Sequence, residues 1–216
     1  MKTKTNITEL VFVIDRSGSM GGLESDTIGG VNSVLAKNRE VDGEAYVTTI
    51  LFDHQIAYLH DHVELSQVAN LTRKDYQVRG CTALLDAVGE AIEHTKKVQH
   101  YLPKTHRAEH VVVTIITDGL ENASKRYTYP KIKELIEKQR GKGWEFIFLG
   151  ANIDVAAEAQ RMGISQEMAT PYVSDGAGTA VAYEAVACAN VAMRKCGSIR
   201  PDWADAARAD AAQRAK

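Results

Sequence analysis

No apolar run in this 216-residue chain approaches the length of about 18 residues needed to cross a bilayer. The opening stretch, Met1-Lys2-Thr3-Lys4-Thr5-Asn6, carries positive charge, but no apolar signal core follows it. The expectation is a cytoplasmic protein without a membrane partner. An excess of one charge is missing too. Lys and Arg number 26 against 28 Asp and Glu, a formal net charge of −2, so no nucleic acid or anionic surface is indicated as partner. Cysteine is scarce. Three cannot all pair, and Cys188 and Cys196 stand eight positions apart in one expected helix. At about 1.5 Å per residue they lie roughly 12 Å apart, beyond disulfide reach. Cys81 reads as a small side chain filling a tight turn, because free cysteine usually behaves as a buried small hydrophobe.

Signatures of several enzyme classes are also absent. There is no Gly-x-x-x-x-Gly-Lys-Ser/Thr phosphate loop, and neither Gly18 nor Gly21-Gly22 lies in a dinucleotide fingerprint. Ser17 and Ser19 lack the Gly-x-Ser-x-Gly elbow and have no evident histidine base. A phosphohydrolase with an aspartate nucleophile after its first strand usually places a second acid two positions on, where this chain has Ser17. A Mg2+-dependent phosphohydrolase on a similar sheet is therefore only the second reading, and the chain is expected not to be an enzyme.

What the chain does have is a repeated pattern of strand followed by oxygen donor. The apolar run Leu10-Val11-Phe12-Val13-Ile14 leads straight into Asp15-Arg16-Ser17-Gly18-Ser19. A short apolar run bounded by polar and glycine residues reads as a buried strand ending in a loop. The most β-branched stretch, His110 to Thr117, likewise runs into Asp118-Gly119. Runs apolar on both faces suit the middle of a parallel sheet covered by helices. Between them, Gly80-Cys81-Thr82 introduces a helical pattern beginning at Leu84. In open α/β sheets, ligands collect beyond the carboxyl ends of the strands where the strand order reverses. Asp15, Ser17, Ser19, Thr82 and Asp118 can thus converge on one point. Carboxylates and hydroxyls without thiolate or imidazole suit a hard cation, Mg2+ first, with Mn2+ or Ca2+ as alternatives.

At these residues the chain resembles the von Willebrand factor type A domain and its metal-ion-dependent adhesion site. That site consists of Asp-x-Ser-x-Ser, a distant threonine and an aspartate in a Thr-Asp-Gly-like loop. They match Asp15, Ser17, Ser19, then Thr82, then Asp118. The likeness runs over residues 6 to 150 and is greatest to short bacterial and phage members, which share segments like Thr117 to Asn122 and Phe148 to Asn152. It implies a metal-binding, non-catalytic protein-binding module. Two carboxylates balance the charge of the ion while three hydroxyls add none. An Asp or Glu of a partner protein would then replace a metal-bound water. The resemblance also implies that the serines bind directly, that the aspartates often act through waters, and that Thr82 and Asp118 exchange roles when a ligand arrives.

Length and composition, 44% hydrophobic and 25% charged, suit one soluble α/β domain with appendages. Helical spacing follows the first loop through Leu35, and strands are expected at Tyr46 to Phe52 and Gln55 to Leu59, joined by a two-residue hairpin at Asp53-His54. Residues 60 to 81 read as irregular, anchored by Leu65, Val68, Leu71 and Tyr76. Further helices are expected near Leu84 to Thr95, Ile132 to Gly141, Ile153 to Met162 and Ala177 to Lys195, with strands at Trp144 to Leu149 and Ala169 to Val173. This alternation gives a doubly wound, mostly parallel sheet with one antiparallel edge strand and helices on both faces. Residues 1–197 form the domain. Residues 198–216 form an Ala/Arg-rich tail, helical or disordered, that favours helix by propensity but has almost no apolar stripe, expected to be frayed or loosely docked, or else to dock a partner independently of metal.

Other candidates are weaker. His60-Asp61-His62 has metal-ligand spacing on a strand but no third ligand, so it reads as a solvated edge. Glu121 and Asn122 would shape the rim or contact the ligand, Lys125-Arg126 reads as a solvated loop, and Arg16 and Arg79 flank the site and could steer a carboxylate.

Overall fold

A computed structural model describes residues 6–214. Strand β1 (Thr8–Asp15) is buried along its whole length, as its unbroken apolar run requires. Parallel β2 (Ala45–Phe52) and β4 (His110–Thr117) flank it. The sheet continues through β5 (Trp144–Gly150) and β6 (Ala169–Pro171) on one side and ends in antiparallel β3 (Ile56–Glu64) on the other. The order β3-β2-β1-β4-β5-β6 reverses between β1 and β4. The expected architecture is therefore observed, a mostly parallel six-stranded sheet with one antiparallel edge.

Alternation along β1 divides its side chains between two cores. Leu10, Phe12 and Ile14 pack with Val31 and Leu35 of α1 (Glu24–Arg39) and Tyr183 and Val186 of α5 (Gly176–Cys196). Val11 and Val13 pack with Leu84 and Val88 of α2 (Leu84–Tyr101) and Ile132 and Ile136 of α3 (Tyr129–Arg140). Helix α4 (Val155–Met162) joins the second core through Val155, Ala159 and Met162. Among the described residues no helix is long and apolar enough to cross a membrane.

Three expectations need correction. The first concerns β3, which runs on to Glu64 instead of stopping near Leu59, and residues 53–55 connect it to β2. A register shift and a positive φ of 49° at His62 accommodate the polar stretch. His60-Asp61-His62 is consequently not a solvated edge. His60 is buried with Nδ1 3.0 Å from Thr49 Oγ1. His62 Nδ1 lies 2.7 Å from Oε2 of buried Glu9, and the His62 ring stacks on Tyr46.

The second concerns the C-terminal segment, which is docked. Helix α6 (Asp205–Arg214) turns Ala207 and Ala211 inward, and with Trp203 and Ala204 they are buried against the domain. The Trp203 indole donates to the Glu167 carbonyl at 2.9 Å, and Arg208 donates to the same carbonyl at 2.7 Å. Alanine at every third or fourth position makes a stripe too small to register as apolar periodicity, yet small enough to bring helix and sheet edge together. The third is Cys81. It is exposed, as are Cys188 and Cys196, and all three are free thiols.

Candidate metal centre

Each expected oxygen donor sits at the carboxyl edge of the sheet. Asp15 ends β1, and its backbone is fixed by the loop that follows. Its Oδ1 accepts from Ser17 N at 2.7 Å, and its Oδ2 accepts from Thr117 Oγ1, at the end of β4, also at 2.7 Å. Burial pushes the Asp15 carboxyl above its ordinary value, although the bonds from Thr117 and Ser17 pull it down, and the nearby charge of Asp118 adds to the rise. A cation beside it would reverse that penalty.

The three hydroxyls lie together. Ser17 Oγ and Ser19 Oγ are 3.1 Å apart, and Thr82 Oγ1 donates to Ser17 Oγ at 2.9 Å. Ser17 and Thr82 are buried, whereas Ser19 is exposed at the mouth. Thr82 is not an N-cap. Ala83 holds that position in α2, and its own side chain offers no cap. Backbone bonds clamp the loops to one another, Gly18 N to Gly80 O at 3.1 Å and Arg79 N to Arg16 O at 2.8 Å. Gly80 adopts a φ of +70°, a conformation L side chains rarely take, and lets the chain turn beside His54.

Asp118 follows β4 and is almost fully buried. Its neighbour Gly119 abuts the hydroxyls, since a Cβ there would lie 2.9 Å from Ser19 Oγ and 3.3 Å from Thr82 Oγ1. Both oxygens of the Asp118 carboxylate are engaged. Asn152 Nδ2 donates to Oδ1 at 2.7 Å and Ser174 Oγ donates to Oδ2 at 2.9 Å, while Asn152 Nδ2 also donates to Ser174 Oγ at 2.9 Å. Neither Asn152 nor Ser174 was singled out by sequence. Asn152 closes the Phe148 to Asn152 segment that the sequence resemblance marks, which assigns it no role.

Glu121 is partly buried and Asn122 is exposed, and both shape the rim by holding backbone groups. Asn122 Oδ1 accepts from Thr82 N at 2.9 Å, and Asn122 N donates back to Thr82 O at 3.0 Å. Glu121 Oε2 accepts from Leu85 N at 2.9 Å in the first turn of α2. Asp86 then gathers the backbone N–H groups of Lys125, Arg126 and Tyr127, each at 2.9 Å. The solvated loop expected around Lys125-Arg126 is thus bound to α2 through its backbone. Arg16 and Arg79 both donate Nε to Oδ2 of buried Asp53, at 3.0 and 2.8 Å, and their charges hold its carboxyl below the usual value despite burial. They stiffen the two loops, and Arg79 remains half exposed.

The donor set is two carboxylates and three hydroxyls. Among the described residues no group of three or more His, Cys, Asp or Glu side chains comes together to hold a metal, which excludes a zinc-type cluster around His60 and His62. Oxygens alone, partly neutral and closely spaced, fit a hard divalent cation.

The family model for the von Willebrand factor type A domain matches residues 9–177. Solved structures with the same fold include proximal thread matrix protein 1 from the mussel byssus with a zinc-occupied MIDAS motif. It is 16% identical with a TM-score of 0.54, over 83% of this chain and 44% of that one. A von Willebrand factor type A protein from Catenulispora acidiphila is 14% identical with a TM-score of 0.57, over 85% of this chain and 42% of that one. Manganese-loaded TRAP protein from Plasmodium vivax is 16% identical with a TM-score of 0.54, over 82% of this chain and 72% of that one. The chain spans less than half the length of the first two. No curated protein sequence matches it.

Proposed function

Because this chain belongs to the von Willebrand factor type A domain family, we propose that it is a divalent-cation-dependent protein-binding module. Asp15, Ser17, Ser19, Thr82 and Asp118 hold the ion, and an Asp or Glu of a partner protein completes its coordination. The observation that carries this reading is the joining of Ser17, Ser19 and Thr82 by contacts of 2.9 and 3.1 Å between two buried strand-end carboxylates. Three hydroxyls so placed have little structural reason to face one another, yet together they offer neutral oxygens to a cation.

The charge count supports an acidic partner. Two carboxylates neutralise a divalent ion, so a third carboxylate arriving from outside meets attraction where a richer acidic set would repel it. When bound, the ion supplies the electrophilic point at which that carboxylate oxygen attaches. Ser19 is exposed at the mouth, and Leu120, the residue after the Gly119 that abuts it, is 56% exposed and offers apolar surface to a partner. Mg2+ is the first choice because the set is hydroxyl-rich; the zinc- and manganese-containing relatives favour a divalent ion in general.

Calorimetric titration with Mg2+ and Mn2+, followed by affinity capture from host lysate with and without chelator, tests the proposal. Saturable metal binding and chelator-sensitive capture, both lost in Asp15→Ala and Asp118→Ala variants that remain folded, is the expected result. Capture indifferent to chelator would overturn it.

A further inference from the structure

At the opposite end of the sheet, a cavity of about 510 Å3 opens where α2 ends, β4 and β5 begin and α3 finishes. Its volume is that of a small-molecule site. Its charge is one-sided, for Lys96, Lys97, Arg107 and Lys142 face a single carboxylate, Glu93.

Two of these cations have structural work. Lys96 pairs with Glu93 at 2.8 Å, and Arg107 donates to the carbonyls of Leu102 at 3.0 Å and His100 at 2.8 Å, closing the end of α2. Lys97 and Lys142 have no ion-pair partner among the described residues, and both are exposed on the cavity wall. One projects from α2 and the other from the turn before β5, so two chain segments bring free positive charge to one opening.

Gln139 contributes to the lining but is 1% exposed, with its Nε2 buried out of reach of an entering ligand. Aromatic surface completes the lining. Trp144 stands at the start of β5, and Tyr101 is 83% exposed with its ring edge-on to His100 at 5.4 Å. An exposed ring beside unpaired lysines offers a stacking face next to an anion site.

We propose that this cavity binds a nucleoside phosphate, its phosphate between Lys97 and Lys142 and its planar base on Tyr101. The site is separate from the candidate metal centre and does not need it.

Calorimetry on the full chain in EDTA, with AMP, ribose 5-phosphate, inorganic phosphate and a glutamate-rich peptide as probes, tests the assignment. Saturable AMP binding tighter than that of the other three is expected. The exposed double variant Lys97→Glu/Lys142→Glu should weaken it at least about tenfold, through loss of charge-assisted bonds to phosphate. Tyr101→Ala should weaken AMP but not ribose 5-phosphate. AMP binding no tighter than inorganic phosphate, an affinity indifferent to the lysine variants, or preference for the acidic peptide would overturn it.

Discussion

Thr82 Oγ1 donates to Ser17 Oγ across 2.9 Å although the two residues lie 65 positions apart. The bond exists because the segment after β3 returns to the carboxyl end of β1, and Asn122 grips Thr82 by both its backbone groups. Thr82→Ala removes one neutral oxygen and leaves that backbone grip in place. Mg2+ affinity should fall about tenfold, or 1.4 kcal/mol, while Thr82→Ser restores it. Calorimetry, with circular dichroism as the check on folding, measures both.

Gly119 has no room for a side chain. A methyl group there would press on Ser19 Oγ at 2.9 Å and Thr82 Oγ1 at 3.3 Å. Gly119→Ala should push the hydroxyls apart, abolish metal binding and cost about 1 to 3 kcal/mol of stability by overpacking. A variant that binds metal like wild type in the same titration would contradict this geometry.

Asn152 and Ser174 hold both oxygens of Asp118. Partners that orient a metal ligand typically account for about 10- to 100-fold in affinity. Asn152→Ala should therefore weaken Mg2+ binding by roughly that factor, and it should also lower the unfolding midpoint of the metal-free protein, because it strips a hydrogen bond from buried Asp118 and puts alanine at a φ of +56°. Titration and thermal melts on the same preparation separate the two effects.

His62 is held above its ordinary 6.5 chiefly by the hydrogen bond to Glu9, with burial opposing. A raised value means that the folded state keeps the proton more tightly than the unfolded chain. This stabilisation is complete below pH 6.5 and is lost as the pH rises through the folded value. His62→Asn keeps a residue that tolerates the positive φ of 49° and removes the imidazole. The stability advantage of wild type over this variant should shrink as the pH climbs above 6.5, read from denaturant midpoints across the range.

Trp203 is 9% exposed and bonds to the Glu167 carbonyl at 2.9 Å. Trp203→Ala should destabilise by about 3 to 5 kcal/mol, measured by denaturant unfolding, and should make α6 susceptible to proteolysis. A loss below 1 kcal/mol, on the order expected of a surface change, would mean that the helix is not docked in solution.

Strands ending in Asp15 and Asp118 are legible from residues alone, because an unbroken β-branched run has few places to go but the middle of a covered sheet. The full length of β3 is not legible, since His60-Asp61-His62 looks solvent-facing until Glu9 and Thr49 are placed beneath it. Glu121 and Asn122 appear available to a ligand for the same reason. Only the folded chain shows that their carbonyl and carboxylate oxygens are spent on the start of α2 and on Thr82.

The amino-acid order by itself points to five candidate oxygen donors and sets the alternation of strand and helix, the lack of a charge excess and the lack of a membrane-spanning run. These are local properties, set by side-chain type and spacing. Tertiary structure alone decides that β1 and β4 are neighbours, that Asp118 faces Asn152 and Ser174, and that α6 packs against α5 and β6. Hydrogen-bond partners and close packing are chosen among segments far apart in the chain, and no local pattern records that choice.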